Sequence, residues 1–215
     1  MRKISKTLFL ISSVITLLPI FIGLLLWNRL PAQLPSHFGL SGEADAWIGK
    51  PFAVVVPYLI LLAVHLLCIF LTHRDPGQEQ QNRKLLGLVY WICPLCALFI
   101  AGLSYSAALG ATLDVTSVTL LLPGILCVVI GNYLPKCRPN HTIGIRLPWT
   151  LADEENWIRT HRMAGPVFLA GGLLLVVCAF LPAVRIWAFP VLLFMIILIP
   201  SVYSYRLYRR KQQDN

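Results

Sequence analysis

Six long apolar segments constrain this chain more than any other feature. Each is long enough to cross the hydrocarbon core of a bilayer, which takes about 20 residues of α-helix. They run roughly over residues 7–27, 52–72, 85–108, 115–133, 164–184 and 186–205. A soluble protein would have to bury six helices with almost no polar face, and only 13% of the residues are charged. The sequence therefore predicts an all-α polytopic membrane protein with six transmembrane helices.

The distribution of Lys and Arg predicts how these helices are oriented. Fifteen of the eighteen lie in segments 1–6, 73–84, 134–163 and 206–215, and the other three are Arg29, Lys50 and Arg185. Short cytoplasmic loops carry an excess of Lys and Arg. Both termini are therefore predicted to be cytoplasmic. The net charge of +9 then needs no nucleic acid partner, and we expect none.

The phrase N-x-L-P-x-x-x-P-x-H occurs twice, at residues 28–37 and again 104 positions later at residues 132–141. Aligned without a gap, residues 17–37 and 121–141 share eight identities. We interpret them as parts of a duplicated three-helix unit, residues 1–109 and 110–215. With three helices per unit, the second copy enters the membrane from the opposite side, which predicts two inverted repeats. The competing explanation is that the two segments are similar by chance, because each is a proline-rich stretch where the chain leaves the membrane.

The first long loop, residues 28–51, is predicted to be extracytoplasmic. Trp47 suits the headgroup level of a membrane, where an amphipathic ring is favoured. His37, Glu43 and Asp45 carry metal-ligand groups but lack the usual ligand spacing, so we predict no metal site. His37, Asp45 and Trp47 remain candidate contacts for a partner.

The second long loop, residues 134–163, is predicted to be cytoplasmic and is richer in side chains typical of a binding surface or gate. Thr150 is predicted as the N-cap of a short amphipathic surface helix from Leu151 to about Met163. Glu155 and Arg159 form an i,i+4 pair on that helix. The chain is then expected to turn into the membrane at residues 165–166. The candidate binding or gating residues from this loop and its approach are Asn132, Asn140, His141, Gly144, Arg146, Trp149, Thr150, Trp157, Thr160 and His161.

No pattern of residues predicts catalysis. The chain lacks G-x-S-x-G, H-E-x-x-H and a phosphate-binding glycine loop, so we expect neither an enzyme nor a cofactor. His65 is the only ionisable side chain deep in an apolar segment. Such a group is a candidate for function, but no carboxylate within the apolar segments is available to pair with it. A structural role is the favoured interpretation.

The stretch from Gly131 to Arg162 resembles the SdpI family of bacterial immunity proteins. The resemblance rests on rare residue types in order, namely Gly131-Asn132-Tyr133-Leu134-Pro135-Lys136, Asn140, Ile143-Gly144-Ile145-Arg146, Pro148-Trp149-Thr150-Leu151, Trp157 and Thr160-His161-Arg162. A second stretch is similar to the N-terminal domain that accompanies the family in many members, through Leu34-Pro35, His37-Phe38, Gly42, Asp45 and Trp47. Together the two stretches and the six apolar segments extend the resemblance over essentially the whole chain.

The resemblance implies a multi-pass protein of a bacterial plasma membrane that gives immunity to a membrane-active peptide. In the family's best-known member, a secreted peptide toxin is the outer partner and a small cytoplasmic repressor is sequestered when toxin is bound. The expected partners are therefore the lipid bilayer, such a toxin and such a repressor. A small secondary transporter or peptide exporter is the alternative, favoured by the inverted repeat. The lack of carboxylates within the apolar segments counts against proton coupling.

Overall fold

The computed structural model describes residues 5–39 and 42–213. The elements are α1 (Lys6–Leu25), β1 (Gln33–Phe38), β2 (Ala44–Gly49), α2 (Lys50–Arg74), α3 (Arg83–Ala108), α4 (Val115–Tyr133), α5 (Pro148–Leu151), α6 (Glu154–Ala179) and α7 (Arg185–Gln213), with 3-10 turns at Pro76–Gln80 and Leu134–Lys136. Two of the basic residues that predict the orientation, Arg2 and Lys3, lie outside the described residues.

Six of the described helices, α1 to α4, α6 and α7, are long and apolar enough to cross a membrane. This confirms the predicted number of spans. The surfaces of these helices are also typical of membrane spans, because large apolar side chains are exposed on them. Phe21, Phe194 and Trp187 are exposed over 58%, 62% and 70% of their area. Exposed side chains of this kind are stable in contact with lipid tails, which are as apolar as leucine. The chain is a multi-pass membrane protein.

Two local predictions need correction. The 28–51 loop contains a two-stranded β-hairpin, so the fold is not all-α as predicted. The separate surface helix is also wrong, because α6 runs without a break from Glu154 through Gly165 and Pro166. Its N-cap is Asp153 rather than Thr150, and the Asp153 carboxylate accepts the Glu155 N–H at 3.0 Å.

The predicted pair of Glu155 and Arg159 is confirmed, with 3.0 Å between the carboxylate and the guanidinium. Both side chains are more than half exposed. Exposed pairs of this kind contribute only a few tenths of a kcal/mol, about 0.3–0.5 on a helix. The pair therefore adds a little stability to the first turns of α6 but does not determine where the helix begins or ends.

The first compact unit comprises Met1–His73 and Leu86–Val115. The Tyr105 hydroxyl donates to the Pro19 carbonyl at 3.1 Å, and its ring lies edge-on to that of Tyr58. A buried tyrosine hydroxyl usually needs such a partner. The largest buried cluster of the unit consists of Leu30, Leu34, Ala53, Val54, Tyr58, Ala97, Ala101 and Tyr105.

The β-hairpin is anchored to the core of this first unit. Leu34 of β1 is fully buried within the core cluster. Ser104 of α3 donates its hydroxyl to the Pro35 carbonyl at 3.0 Å. The Lys50 ammonium group donates to two main-chain carbonyls that follow α1, at 3.0 and 2.8 Å. The hairpin is thus a fixed part of the unit rather than a free loop.

The second compact unit comprises Arg74–Leu85 and Thr116–Asn215. Its helices α4 and α6 approach closely at two levels through glycine. A Cβ atom on Gly131 would lie 2.8 Å from the Gly165 carbonyl oxygen, and one on Gly172 would lie 2.6 Å from that of Gly124. Small residues allow membrane helices to pack backbone against backbone. This packing explains why Gly165, predicted to lie in a turn, instead lies inside a helix.

A buried polar network joins α6 to α7. The Asn156 Oδ1 atom accepts from the Thr160 hydroxyl at 2.9 Å and from the Ser204 hydroxyl at 2.7 Å. The Asn156 Nδ2 group donates to the Ser204 carbonyl at 3.0 Å. All three side chains are buried, and their mutual bonds remove the cost of burying polar groups. The candidate residue Thr160 therefore lies within the packing between two helices.

Candidate functional site

The loop between α4 and α6, residues 134–153, is folded around the buried amide of Asn140. Its Nδ2 group donates to the carbonyls of Arg138 and Ile143, both at 2.8 Å. Its Oδ1 atom accepts the N–H groups of Thr142 and Ile143 at 2.8 and 2.6 Å. Asparagine favours turns because its side chain can bind the nearby backbone in this way. One side chain thus fixes the turn at residues 138–143.

A second support comes from Asp75, which the sequence analysis did not identify. Its carboxylate is buried. One oxygen accepts the His141 N–H at 2.7 Å and the Thr142 hydroxyl at 2.8 Å, and the other accepts the Gly77 N–H at 2.8 Å. A buried carboxylate is very unfavourable unless it is hydrogen-bonded. The three donors account for its burial and tie the 138–143 turn to the segment after α2.

Two more contacts continue this attachment. The Gln81 side chain donates to the Arg138 carbonyl at 2.5 Å and accepts the Arg138 N–H at 3.2 Å. A Cβ atom on Gly77 would lie 2.7 Å from the Pro139 carbonyl oxygen, so only glycine fits there. The sequence does show the local signal, an acidic residue before Pro-Gly, which is typical of a cap. It gives no indication of the distant partner.

Trp157 and His161 lie beneath the same loop, both completely buried, with ring centroids 4.1 Å apart. The indole N–H of Trp157 donates to the Cys137 carbonyl at 3.0 Å. The Nδ1 atom of His161 lies 2.8 Å from the Trp157 carbonyl, and the Nε2 atom accepts the Ile145 N–H at 2.9 Å. Because a carbonyl only accepts, Nδ1 carries the proton. The two bonds therefore fix the neutral tautomer of His161.

Gly144 crosses over these two rings with φ +120°. A Cβ atom at this position would lie 2.5 Å from His161 Nε2 and 3.0 Å from the Trp157 ring. Residues with a Cβ atom are strained at such a φ. Both the backbone conformation and the close approach to the rings therefore require glycine.

Thr150 closes the loop on its other side. Its hydroxyl donates to the Ile145 carbonyl at 2.8 Å and accepts the Leu147 N–H at 2.9 Å. Five of the sequence-predicted site residues are thus buried and bonded inside the second unit, and these are Asn140, Thr150, Trp157, Thr160 and His161. Their side chains shape the loop and leave other residues at its surface.

Cys137 lies in the same buried layer, next to the loop. Burial raises the pKa of its thiol to about 12, with a further rise from the Asp75 charge and an opposing effect from the Asn140 hydrogen bond. Only the thiolate is a nucleophile or a metal ligand. Cys137 is therefore an inert thiol at neutral pH.

The exposed part of the loop forms a small basic surface. We define the loop surface as Arg138, His141, Arg146 and Pro148, all of which are exposed. The Arg146 guanidinium donates to the His141 carbonyl at 2.7 Å, which holds these two neighbours together. The candidate Asn132, on α4, is exposed as well.

Trp149 of α5 is half-buried beside this surface. It forms an aromatic group with two tyrosines of α7. Its ring lies 5.4 Å from that of Tyr205 and 6.1 Å from that of Tyr208, centroid to centroid. Clusters of Trp and Tyr are enriched where a membrane protein meets the headgroup region. The position of this aromatic group is therefore consistent with the headgroup region, where α7 leaves the hydrocarbon core.

The candidate residues of the hairpin are arranged differently. The His37 Nδ1 atom lies 2.6 Å from the Asp45 carboxylate, and both side chains are more than half exposed. Trp47 is exposed over 52% of its area. Within the described ranges, no three His, Cys, Asp or Glu side chains gather as a metal site would require. The hairpin thus presents a polar pair and an indole ring to its surroundings.

His65 lies in the first unit and is completely buried. Its Nε2 atom is 3.0 Å from the Ser12 hydroxyl of α1. The contact joins α1 to α2 by a polar bond inside the apolar layer, as interhelical hydrogen bonds do in membranes. The arrangement supports the structural interpretation of this histidine.

Comparison with known proteins gives two family matches. Residues 136–204 match the SdpI/YfhL protein family, and residues 14–62 match a domain of unknown function, DUF1648. The immunity protein SdpI of Bacillus subtilis (strain 168) is 29% identical over 209 residues, which cover 94% of this chain and 96% of that protein. No solved structure matches the chain. The family resemblance noted in the sequence is confirmed.

Proposed function

We propose that this chain, which resembles the SdpI/YfhL protein family, is an integral membrane protein that protects a bacterium against a membrane-active peptide toxin. The observation that carries the proposal is the similarity over 94% of the chain to a protein named for immunity. Six helices long and apolar enough to cross a membrane support the membrane location of such a protein.

In this proposal both termini are cytoplasmic, as the Lys and Arg distribution predicts. The β-hairpin then lies outside, where His37, Asp45 and Trp47 are available to an incoming peptide. The loop surface lies inside, where it is available to a cytoplasmic partner such as a small repressor. The rigid supports of the loop favour this assignment, because a surface held by buried bonds costs little conformational entropy on binding.

Signalling across the membrane requires two states with different affinities for toxin, since a ligand shifts an equilibrium only by its differential affinity. The predicted inverted repeat offers a symmetric origin for two such states. We propose it as the basis of coupling between the two loops. A direct test uses inside-out vesicles, in which residues 138–148 would face the external medium. Toxin enclosed in the vesicle lumen should change the rate at which an added protease cleaves this segment.

Survival of a toxin-sensitive bacterium that expresses this chain tests the immunity proposal. Wild type should raise the tolerated dose of the peptide, and Trp47→Ala in the hairpin should lower it at equal membrane abundance. Trp187→Ala is the matched control, because Trp187 is also exposed but lies on α7, outside the hairpin. Full sensitivity of cells with correctly inserted wild type, across a panel of membrane-active peptides, would contradict the proposal.

A small peptide exporter is the second candidate, and the sequence repeat is the observation that favours it. Export would also give immunity, so the two differ in their energy requirement. An exporter driven by an ion gradient should lose protection when an ionophore collapses that gradient, at doses that spare control cells. Protection that survives the ionophore would leave direct binding as the mechanism.

The repeat itself gives a further comparison. If the two halves are functionally equivalent, His37→Ala and His141→Ala should reduce protection to a similar degree. Loss confined to one variant would mean that the repeat reflects ancestry without present symmetry.

A further inference from the structure

Helix α2 joins the β-hairpin directly to the residue that supports the 138–143 turn. β2 ends at Gly49, α2 begins at Lys50 and ends at Arg74, and Asp75 is the next residue. The 25 residues of α2 span about 37 Å at about 1.5 Å per residue, enough to cross a hydrocarbon core of about 30 Å. The hairpin and the Asp75 carboxylate therefore lie at opposite ends of one helix that is long enough to span the membrane.

The hairpin end of α2 is held by three hydrogen bonds to the segment between α1 and β1. The Lys50 N–H donates to the Ala32 carbonyl at 2.9 Å, which continues the pairing of β1 with β2. The Lys50 ammonium group donates to the Trp27 and Leu30 carbonyls at 3.0 and 2.8 Å. The first residue of α2 is thus part of the hydrogen-bond network of the hairpin, so a displacement of the strands displaces the start of the helix.

Between its ends α2 is continuous, although it contains Pro57. A proline inside a helix removes one backbone hydrogen bond and can make the helix bend. Val54 and Tyr58, on either side of Pro57, are buried in the core cluster of the first unit. Their packing supports the helix at the point where its own hydrogen bonds are weakest, so α2 can transmit a displacement from one end to the other.

At the far end of α2, the chain passes from the first compact unit into the second immediately after His73. The Nε2 atom of His73 lies 2.6 Å from the Tyr90 hydroxyl of α3, which holds the last turn of α2. Asp75 follows two residues later, so its Cα atom is at most about 7 Å from that of His73. In the second unit, the Asp75 carboxylate accepts the His141 N–H. The end of α2 is therefore linked to the loop surface by two peptide units and one hydrogen bond.

We propose that α2 carries the signal across the membrane, and that Asp75 is the positioning residue that passes a displacement of the hairpin to the loop surface. The inference rests on the proposed function, because it assigns a route to the coupling between toxin and inner partner. A displacement of Asp75 moves His141 and, through the His141 carbonyl, also Arg146. A peptide bound to the hairpin would act by favouring one position of α2 over another. This route requires the 74–85 segment and does not require symmetry between the two halves.

Hydrogen–deuterium exchange of the full chain in nanodiscs, measured by mass spectrometry, tests this route without toxin. Lys50→Met removes the two ammonium bonds at the hairpin end of α2 and keeps an unbranched side chain. Exchange of residues 138–143 should then rise at least about twofold. Arg185→Met is the matched control, because Arg185 is also the first residue of a span and donates to the Ser117 hydroxyl, but α7 does not lead to Asp75. It should leave the exchange of residues 138–143 unchanged.

A double variant separates transmission from local loosening. Asp75→Asn should itself raise the exchange of residues 138–143, and adding Lys50→Met should then have no further effect. Effects at two sites this far apart would otherwise be independent and would multiply. Because coupling is reciprocal, Asp75→Asn should also raise the exchange of residues 44–49 in β2, which a purely local support of the turn would not change. If Asp75→Asn does not fold, the comparison of Lys50→Met with Arg185→Met decides.

Three results would overturn the inference. They are unchanged exchange of residues 138–143 in Lys50→Met, equal increases in Lys50→Met and Arg185→Met, and effects of Lys50→Met and Asp75→Asn that multiply. None of them bears on immunity, because no toxin is present. Conversely, cells that stay sensitive to every peptide although the two ends of α2 are coupled would contradict the immunity proposal and leave this route intact.

Discussion

In the first unit the repeated phrase leads into a β-hairpin, whereas in the second unit the same phrase leads into an irregular loop held by buried side chains. Two aligned positions explain much of the difference. Leu34 is fully buried and anchors β1, while its counterpart Arg138 is exposed. Ser36 is exposed, while its counterpart Asn140 is buried and binds four backbone groups. Similar sequence motifs thus give different local structures where the partners differ.

The two histidines of the phrase show the same contrast. The His37 side chain binds the exposed carboxylate of Asp45, eight residues later. His141 is held through its backbone by Asp75, 66 residues away. At this position the hairpin is held by a neighbour in sequence and the loop by a distant residue. We therefore expect substitutions in the loop to be costly and equivalent ones in the hairpin to be mild.

The largest difference is expected between two tryptophans. Trp157→Ala should destabilise the protein by about 3–5 kcal/mol, because it removes a fully buried ring and leaves a cavity. Trp47→Ala, in the hairpin, should cost less than about 1 kcal/mol, because surface substitutions rarely cost more. Thermal unfolding in detergent, followed by circular dichroism, measures both. Equal losses would mean that the hairpin is as tightly integrated as the loop.

A second comparison uses the two carboxylates. Asp75→Asn should destabilise the protein by about 1–3 kcal/mol, because the new amide NH₂ group then faces the backbone N–H of Gly77 or of His141, which can only donate. It should also make the 138–143 turn accessible to protease. Asp45→Asn should change stability by no more than about 1 kcal/mol, as is usual for exposed pairs. Cleavage within residues 140–143 by a protease of broad specificity that does not increase in Asp75→Asn would contradict the role given to Asp75.

A third comparison concerns glycine. Gly144→Ala should cost about 1–2 kcal/mol, since it combines a left-handed backbone with a Cβ atom close to His161. Gly49→Ala in the hairpin should have no measurable cost, because its Cβ atom enters open space. Denaturant titration of the two purified variants gives the comparison. If Gly144→Ala leaves the free energy of unfolding unchanged, the backbone at residue 144 can move away from the rings of Trp157 and His161.

The smallest effect concerns pH at the start of α6. A hydrogen bond from Lys211 lowers the pKa of the Asp153 carboxyl below its usual value. The associated stability is present above the unfolded pKa of about 3.9 and is lost as pH falls through the lower folded value. Because Lys211 is about half exposed, the effect should not exceed about 1 kcal/mol. Asp153→Asn should remove this loss of stability, which falls below about pH 4, and acid unfolding followed by circular dichroism measures it.

The sequence by itself determined the six spans and the resemblance to the SdpI/YfhL family, because both depend on local properties. An apolar run of about 20 residues has few alternatives to a membrane helix, and the residues from Gly131 to Arg162 are specific in type and order. The sequence also placed Asn140, Gly144, Trp157 and His161 in one group, which the structure brings together in and beneath one loop.

Only the tertiary structure decided which of these residues are buried and what supports them. Asp75 and Gln81 reach the loop across more than 55 residues of chain, and no periodicity reports such a contact. The continuity of α6 through Gly165 is a similar case, because a Gly-Pro pair favours a turn locally. Close packing against Gly131 keeps it helical instead. Local preferences amount to about 1 kcal/mol per glycine, and contacts between distant segments override them.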